Sequence, residues 1–380
     1  MDFFLPKEHE LFQKMCRDFA EKELRPIAAD IDEEERFPVE TLEKMKRYGF
    51  MSIPIPKEYG GQGFDNLAYV ISVEELAKVC LATTTIYTAH ISLCCNPLLL
   101  FGTEEQKQKY LIPLSKGEYL GAFGLTEPMA GTDASMQQTI AVLKGDNYIL
   151  NGSKIFITNS AHADVFIIIA MTDKSKGTKG CSAFIVEKTF PGFRIGKREK
   201  KMGIRASDAC EVIMEDCVVP KENLLGKEGQ GFRIAMESLD TGRIGIAAQA
   251  LGLAEGALNE TVKYVKERKQ FGKRISQFQN TQFELADMRT KIEAAQLLVY
   301  KVARMKDTHQ NFTANAAMAK LYCSELASDV TRRCLQLFGG YGYTREYPIE
   351  RMMRDAKITE IYEGTSEVQK MVISSWMKVN

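Results

Sequence analysis

Asn147-Tyr-Ile-Leu-Asn-Gly-Ser-Lys-Ile-Phe-Ile-Thr158 is the stretch on which the fold turns. Two short runs rich in β-branched and aromatic residues flank Asn151-Gly152. That dipeptide tolerates the positive φ of a type I′ turn, so the stretch reads as a hairpin, 147–150 against 155–158. Further strand-like runs follow at Val165–Ala170, Cys181–Val186 and Cys210–Met214. Turn residues separate them at short intervals, as in a small sandwich or barrel. This β region begins near residue 121 and ends near Gly226-Lys-Glu-Gly-Gln-Gly231.

The chain on either side reads as helix. Leu11, Met15, Phe19 and Leu24 recur at helical spacing, and Tyr69–Lys78 and Thr83–Leu100 continue the pattern. Thr103-Glu-Glu-Gln106 reads as a capping box, and Tyr59-Gly-Gly-Gln-Gly63 as a loop between helices. Gly245–Arg268, Phe283–Lys306 and Ala316–Leu337 are long amphipathic stretches with short links, as in an antiparallel bundle. The expected class is α+β: an N-terminal helical domain (1–120), a middle β-barrel or sandwich domain (121–231) and a C-terminal four-helix bundle (232–380).

At 380 residues the chain can bury a large core. Fifty basic residues balance fifty acidic ones, which argues against nucleic acid or an anionic membrane surface as partner. The nine cysteines have no regular spacing and form no CxxC pair, so they read as buried free thiols, not as a disulfide framework. The four histidines stand singly, and no metal site is expected. MDFFLPKEHELFQKMC has neither the basic stretch nor the apolar run of a secretion signal. No apolar run approaches the roughly 20 residues that span a bilayer. The expected location is the cytoplasm.

The most specific segment is Arg351-Met-Met-Arg-Asp-Ala-Lys-Ile-Thr-Glu-Ile-Tyr-Glu-Gly-Thr-Ser366. Together with Phe123-Gly-Leu-Thr-Glu-Pro-Met-Ala-Gly-Thr132, Asn151–Asn159, Asp240-Thr-Gly-Arg243, Arg268-Lys-Gln-Phe-Gly272 and Gln336-Leu-Phe-Gly-Gly340, it resembles the acyl-CoA dehydrogenase family. The resemblance runs through nearly the whole chain, and is nearest to the short-chain, butyryl-CoA branch of anaerobic bacteria. It implies non-covalent FAD, an acyl-CoA or enoyl-CoA substrate, an electron-transfer flavoprotein as partner and a homotetramer. Desaturation of a thioester needs loss of an α-proton and a β-hydride, and the site must stabilise the developing enolate.

By the same resemblance Glu363 is the base and its own N–H is one enolate donor, with Gly364 allowing the ligand close to the backbone. Some relatives carry the base on the helix after the middle domain; the matching position here is Gly242, which has no carboxylate. Phe123, Leu125, Thr126, Phe156, Ile157 and Thr158 match the flavin-facing edge of the β domain, and Thr132 the residue that touches both flavin and CoA. Arg268, Gln270, Phe271 and Gln279, with Gln336, Leu337, Gly339 and Gly340, match the adenosine and pyrophosphate positions contributed by a neighbouring subunit. Thr365 and Glu367 join the cofactor set. Asp240 and Arg243 match contacts to the CoA arm.

Blander readings stand beside these. Taken alone, Glu363 is a solvated loop acid, Phe156 is strand core, Arg268 is a cation at a helix C-terminus, and Asp240 with Arg243 is an i,i+3 ion pair. An oxidase using oxygen, a non-catalytic CoA-binding protein and a purely structural helical protein are the rival functions. Peroxide production and the colour of the preparation separate them. The acyl pocket is expected between Thr85–Leu93 and the helix after Arg243. The unusual run His90-Ile-Ser-Leu-Cys-Cys-Asn96 is a sign of a non-standard substrate. The resemblance to the anaerobe enzymes implies the alternative of an enoyl-CoA reductase with an acryloyl- or aryl-acryloyl-type substrate, in a complex with the electron-transfer flavoprotein.

Overall fold

A computed structural model describes residues 5–379; the first four positions of the leader reading lie outside them. Helix α1 (Lys7–Phe19) packs on α3 (Asn66–Ala77), whose residues are buried almost all round, and α2 (Val39–Arg47) lies between them in the chain. Asp65 caps α3 by accepting from the Ala68 N–H at 2.8 Å. The chain then runs through α4 (Leu81–Thr88), a π-helical stretch at Ala89–Cys95 and α5 (Asn96–Phe101). The capping box at Thr103 and Gln106 forms as expected.

The middle region is one eight-stranded sheet: β1 (Gly121–Gly124), β2 (Ile140–Lys144), β3 (Asn147–Thr158), β4 (Val165–Met171), β5 (Cys181–Glu187), β6 (Phe193–Arg198), β7 (Ala209–Pro220) and β8 (Leu224–Leu225). The order β6-β7-β3-β2-β4-β5-β8, with β1 parallel to β4, leaves two edges, so the sheet does not close into a barrel. The expected hairpin at Asn151-Gly152 is not there. β3 is a single twelve-residue strand, and the two-residue turn lies at Gly145-Asp146, between Lys144 and its partner Asn147. Gly145 takes the left-handed φ, +62°, that this turn needs. Asn151-Gly152 instead faces a bulge in β7, where Glu215 and Asp216 stand opposite the single residue Asn151. The Asn151 side chain bridges to Asp216 there, accepting from its N–H at 2.8 Å and donating to Oδ1 at 3.1 Å. Cross-strand pairing has overridden a local turn signal.

The C-terminal region has three long helices, α6 (Gly231–Glu267), α7 (Gln279–Asp307) and α8 (Thr313–Phe338), followed by the shorter α9 (Ile349–Ala356) and α10 (Ser366–Met377). A small hairpin, β9 (Lys269–Gln270) with β10 (Lys273–Arg274), joins α6 to α7. Helix α8 packs along α6 and carries α10 on its other side. One continuous apolar core joins α1, α3, α6, α7 and α8. All nine cysteines are buried and free. Among the described residues no helix is long and apolar enough to cross a membrane.

Candidate active site

The loop between α9 and α10 brings Glu363 against α6. Glu363 and Gly364 both have positive φ, +52° and +96°. The residue is half-buried, but its Oε2 is fully buried and has no hydrogen-bond partner. A Cβ at Gly242 would stand 1.8 Å from that Oε2. The glycine therefore makes room for the carboxylate, and only one acid can occupy this point. Burial raises the Glu363 pKa to about 7, against the pull of Lys320 and Arg243.

The same face of α6 continues as a trough. Gly245, one turn on, faces the Tyr69 hydroxyl and Thr88. Gln249 closes the line: it bonds to the Tyr362 hydroxyl and to Thr88 Oγ1, while Thr85 Oγ1 donates to its Oε1 at 3.4 Å. Positions 242, 245 and 249 share one helical face, so the trough from the carboxylate to this polar plug is roughly 10 Å long at 1.5 Å per residue. At its open end Arg243 Nη1 pairs with Asp240 Oδ1 at 2.6 Å, and Asp240 Oδ2 accepts from Thr313 at 2.6 Å. The i,i+3 pair is real, yet Arg243 is buried and its Nε has no partner. Tyr69 Oη, Glu363 Oε2 and Arg243 Nε are thus three buried polar atoms around one trough without protein partners. Three such atoms gathered at one place call for an explanation, and a bound ligand that completes their bonding is one.

A second group forms at the bulged end of β3. Phe156 has φ +60° and is 62% exposed, because the bulge between Lys154 and Ile157 turns it out of the sheet. It is not strand core. The sides of Leu125 and Ile157 are in the core, Phe123 and Thr158 are half-buried, and Thr132 is exposed on the loop after β1. The Thr126 carbonyl is tied to β3 by the Ile155 N–H at 2.9 Å. Behind this edge lies a buried cluster that nothing in the spacing announced. Lys154 Nζ donates to Glu127 at 2.6 Å, to Gln137 at 2.5 Å and to the Leu125 carbonyl at 3.3 Å.

A third group surrounds a groove of about 520 Å³ at the far end of α6, lined by Arg268, Gln270, Gln336, Leu337, Gly339 and Gly340 among others. Arg268 lies over the Tyr341 ring, 5.2 Å from its centroid. At Gly339 and Gly340 a Cβ would meet nothing within 4 Å, so the backbone is open to an approaching group. A guanidinium beside open backbone suits a diphosphate. Phe271 is 93% exposed at the tip of the β9–β10 hairpin, and Gln279 opens α7 without lining the groove. Thr365 caps α10, and Glu367 is exposed in its first turn.

The chain matches "Acyl-CoA dehydrogenase, N-terminal domain" over residues 6–118, the middle domain over 122–217 and the C-terminal domain over 229–378. The chain belongs to the acyl-CoA dehydrogenase family. It is an oxidoreductase of that family, whose cofactor is FAD. It is 63% identical to "Acyl-CoA dehydrogenase, short-chain specific" of Clostridium acetobutylicum, covering 98% of this chain and 99% of that one. The butyryl-CoA dehydrogenase structure from Megasphaera elsdenii is 52% identical, with a TM-score of 0.98 over 99% of this chain and all of the other. A chain from the work on "Electron transferring flavoprotein of Acidaminococcus fermentans" is 57% identical, with a TM-score of 0.99 over all of both chains. "Acryloyl-CoA reductase (NADH)" of Anaerotignum propionicum is 53% identical over 98% of this chain and 95% of that one.

His90, singled out for its unusual surroundings, is a fastener. It is buried and neutral, its pKa pulled down to about 4 by burial, and Nδ1 accepts from the Gly121 N–H at 3.0 Å. It ties the π-helical stretch to β1 and faces no open space.

Proposed function

We propose that the enzyme interconverts a short-chain acyl-CoA and its trans-2-enoyl-CoA, with Glu363 as the base. The supporting observation is the carboxylate itself: buried, unpartnered, seated against Gly242 and titrating near neutrality. Such a pKa suits a general base at physiological pH. In this reading the Glu363 carboxylate removes the α-proton while its own N–H donates to the thioester oxygen and stabilises the enolate. Asp240, Arg243, Thr132 and Gly364 hold the CoA arm and the thioester. The polar plug at Gln249 and Tyr362 ends the acyl trough, which favours a short chain. When bound, FAD supplies the acceptor for the β-hydride. The edge residues Phe123, Leu125, Thr126, Phe156, Ile157 and Thr158, with Thr365 and Glu367, hold its isoalloxazine end.

Arg268, Gln270, Phe271, Gln279, Gln336, Leu337, Gly339 and Gly340 hold the adenosine and diphosphate end in this reading. Twenty-five residues of helix separate Gly242 from the end of α6, roughly 38 Å. One dinucleotide cannot touch both ends of one chain across that span, so the groove serves a neighbouring subunit, as in a homotetramer. Electrons pass to an electron-transfer flavoprotein.

The test is Glu363→Gln. The variant is expected to keep its FAD and lose turnover with butyryl-CoA; retained turnover would sink the assignment. The acryloyl-CoA reductase likeness supports a second reading, in which the enzyme runs as an enoyl-CoA reductase in complex with that flavoprotein. Rates with enoyl-CoA and reduced flavoprotein, set against rates with acyl-CoA and oxidised flavoprotein, distinguish the two.

A further inference from the structure

Lys320 lies on α8 with no solvent exposure. Its Nζ donates to the Gly364 carbonyl oxygen at 2.7 Å, and the same oxygen accepts from Gln369 Nε2 at 2.8 Å. Two donors on one carbonyl fix the peptide that follows Glu363 and Gly364. Glu363 has a Cβ and yet sits at φ +52°, a region that side chains disfavour. Its surroundings must impose that conformation. The left-handed turn is what lets the Glu363 carboxylate reach α6.

Four groups face Glu363 from the elements packed on it: Lys320 from α8, Arg243 from α6 with its partner Asp240, Tyr69 from α3, and Tyr362 from its own loop. Lys320 is faced in turn by Glu360 and Glu367 as well as by Glu363 and Arg243. Arg243 already has a carboxylate partner in Asp240. The ammonium of Lys320 has only carbonyl oxygen within hydrogen-bond reach.

We propose that Lys320 is a positioning residue for Glu363: it anchors the Gly364 carbonyl, so that the left-handed turn holds carboxylate and N–H toward one substrate, and its positive charge favours the carboxylate form. This rests on Glu363 being the base. Burial pulls the ammonium down only to about 8, so it is charged at neutral pH.

The experiment is the pH profile of kcat/KM for the FAD-loaded holoenzyme with butyryl-CoA, in Lys320→Met, Lys320→Gln and Lys320→Arg. Lys320→Met and Lys320→Gln remove the charge. Their acid limb is expected to move up by about one pH unit, the scale of one neighbouring opposite charge, with kcat/KM about fivefold lower near pH 7 and about tenfold lower well below it. Lys320→Arg is expected to return the limb toward wild type. Lys320→Met with bound FAD and an unmoved limb overturns the proposal, even if its rate is lower, because a merely structural defect lowers rate without moving the limb. Should Lys320→Met fail to fold, Lys320→Gln is judged by the same two results. Turnover surviving in Glu363→Gln would instead remove the base reading, so the two failures are told apart.

Discussion

Glu363 rests its carboxylate where a side chain at position 242 would stand, and burial holds its pKa at about 7. An unfolded glutamate titrates near 4.3. Between those values the folded chain holds a proton that the unfolded chain has released, so this group's stabilisation is full below about pH 4 and is lost as pH rises through 7. Glu363→Gln cannot ionise. It is expected to be more heat-stable than wild type above pH 7, by roughly 2 kcal/mol after allowance for partial exposure, and equal to it near pH 4; thermal melts across pH check this. Activity runs the other way, with kcat/KM rising through pH 7 as the carboxylate forms. Gly242→Ala makes a sharper separation. Alanine inside a helix gains up to about 1 kcal/mol over glycine, so the melting temperature should hold or rise. The new methyl must displace the Glu363 carboxylate, and kcat should fall at least about tenfold. A kcat equal to wild type would mean that the carboxylate does not react from this seat.

At the scale of elements, two buried lysines do what the motifs around them cannot. Lys154, inside β3, pairs with Glu127 behind the loop that carries Leu125 and Thr126. Removing one partner strands the other charge, at a cost of about 3–5 kcal/mol. Lys154→Met is therefore expected to melt early and to release FAD, while Lys154→Met with Glu127→Gln recovers much of the loss; calorimetry and flavin absorbance follow both. The trough on α6 gives another test. Replacing Gln249 by Ala removes the plug, and the ratio of kcat/KM for octanoyl-CoA over butyryl-CoA should rise about tenfold or more. Periodicity made the long helices legible, and the motif around Glu363 singled out the loop that the fold places against α6. The two lysines were not legible, because their partners stand 27 and 44 residues away. Asn151-Gly152 misled for the opposite reason: its local signal is strong, but the pair runs on through β3 opposite a bulge in β7, where Gly152 takes φ +146°.

Across the whole molecule, α6 carries the Glu363 seat near one end and the Arg268 groove at the other. If each FAD is shared between subunits, Arg268→Ala and Glu363→Gln homo-oligomers are both inactive, yet subunits re-associated from a mixture regain activity, since some sites then combine an intact base with an intact groove. No recovery on mixing would mean that both ends serve one chain. The sequence showed the helical stretch from Gly245, but not that the helix already begins at Gly231 and runs unbroken past Gly242 to Glu267, with Arg268 just beyond its end. The sheet's open edges were equally hidden, because strand order depends on pairings between residues far apart in the chain.

The nine thiols, finally, make the enzyme a recorder of its own breathing. Each is sealed in the interior, from Cys16 on α1 to Cys334 on α8. A thiol-reactive dye can label one only while its surroundings open. Peptide-resolved labelling rates would then rank the helical layers and the sheet by how often each unlocks. The order in which cysteines become tagged, with and without FAD, would map where the cofactor's binding energy is felt, without introducing a single probe.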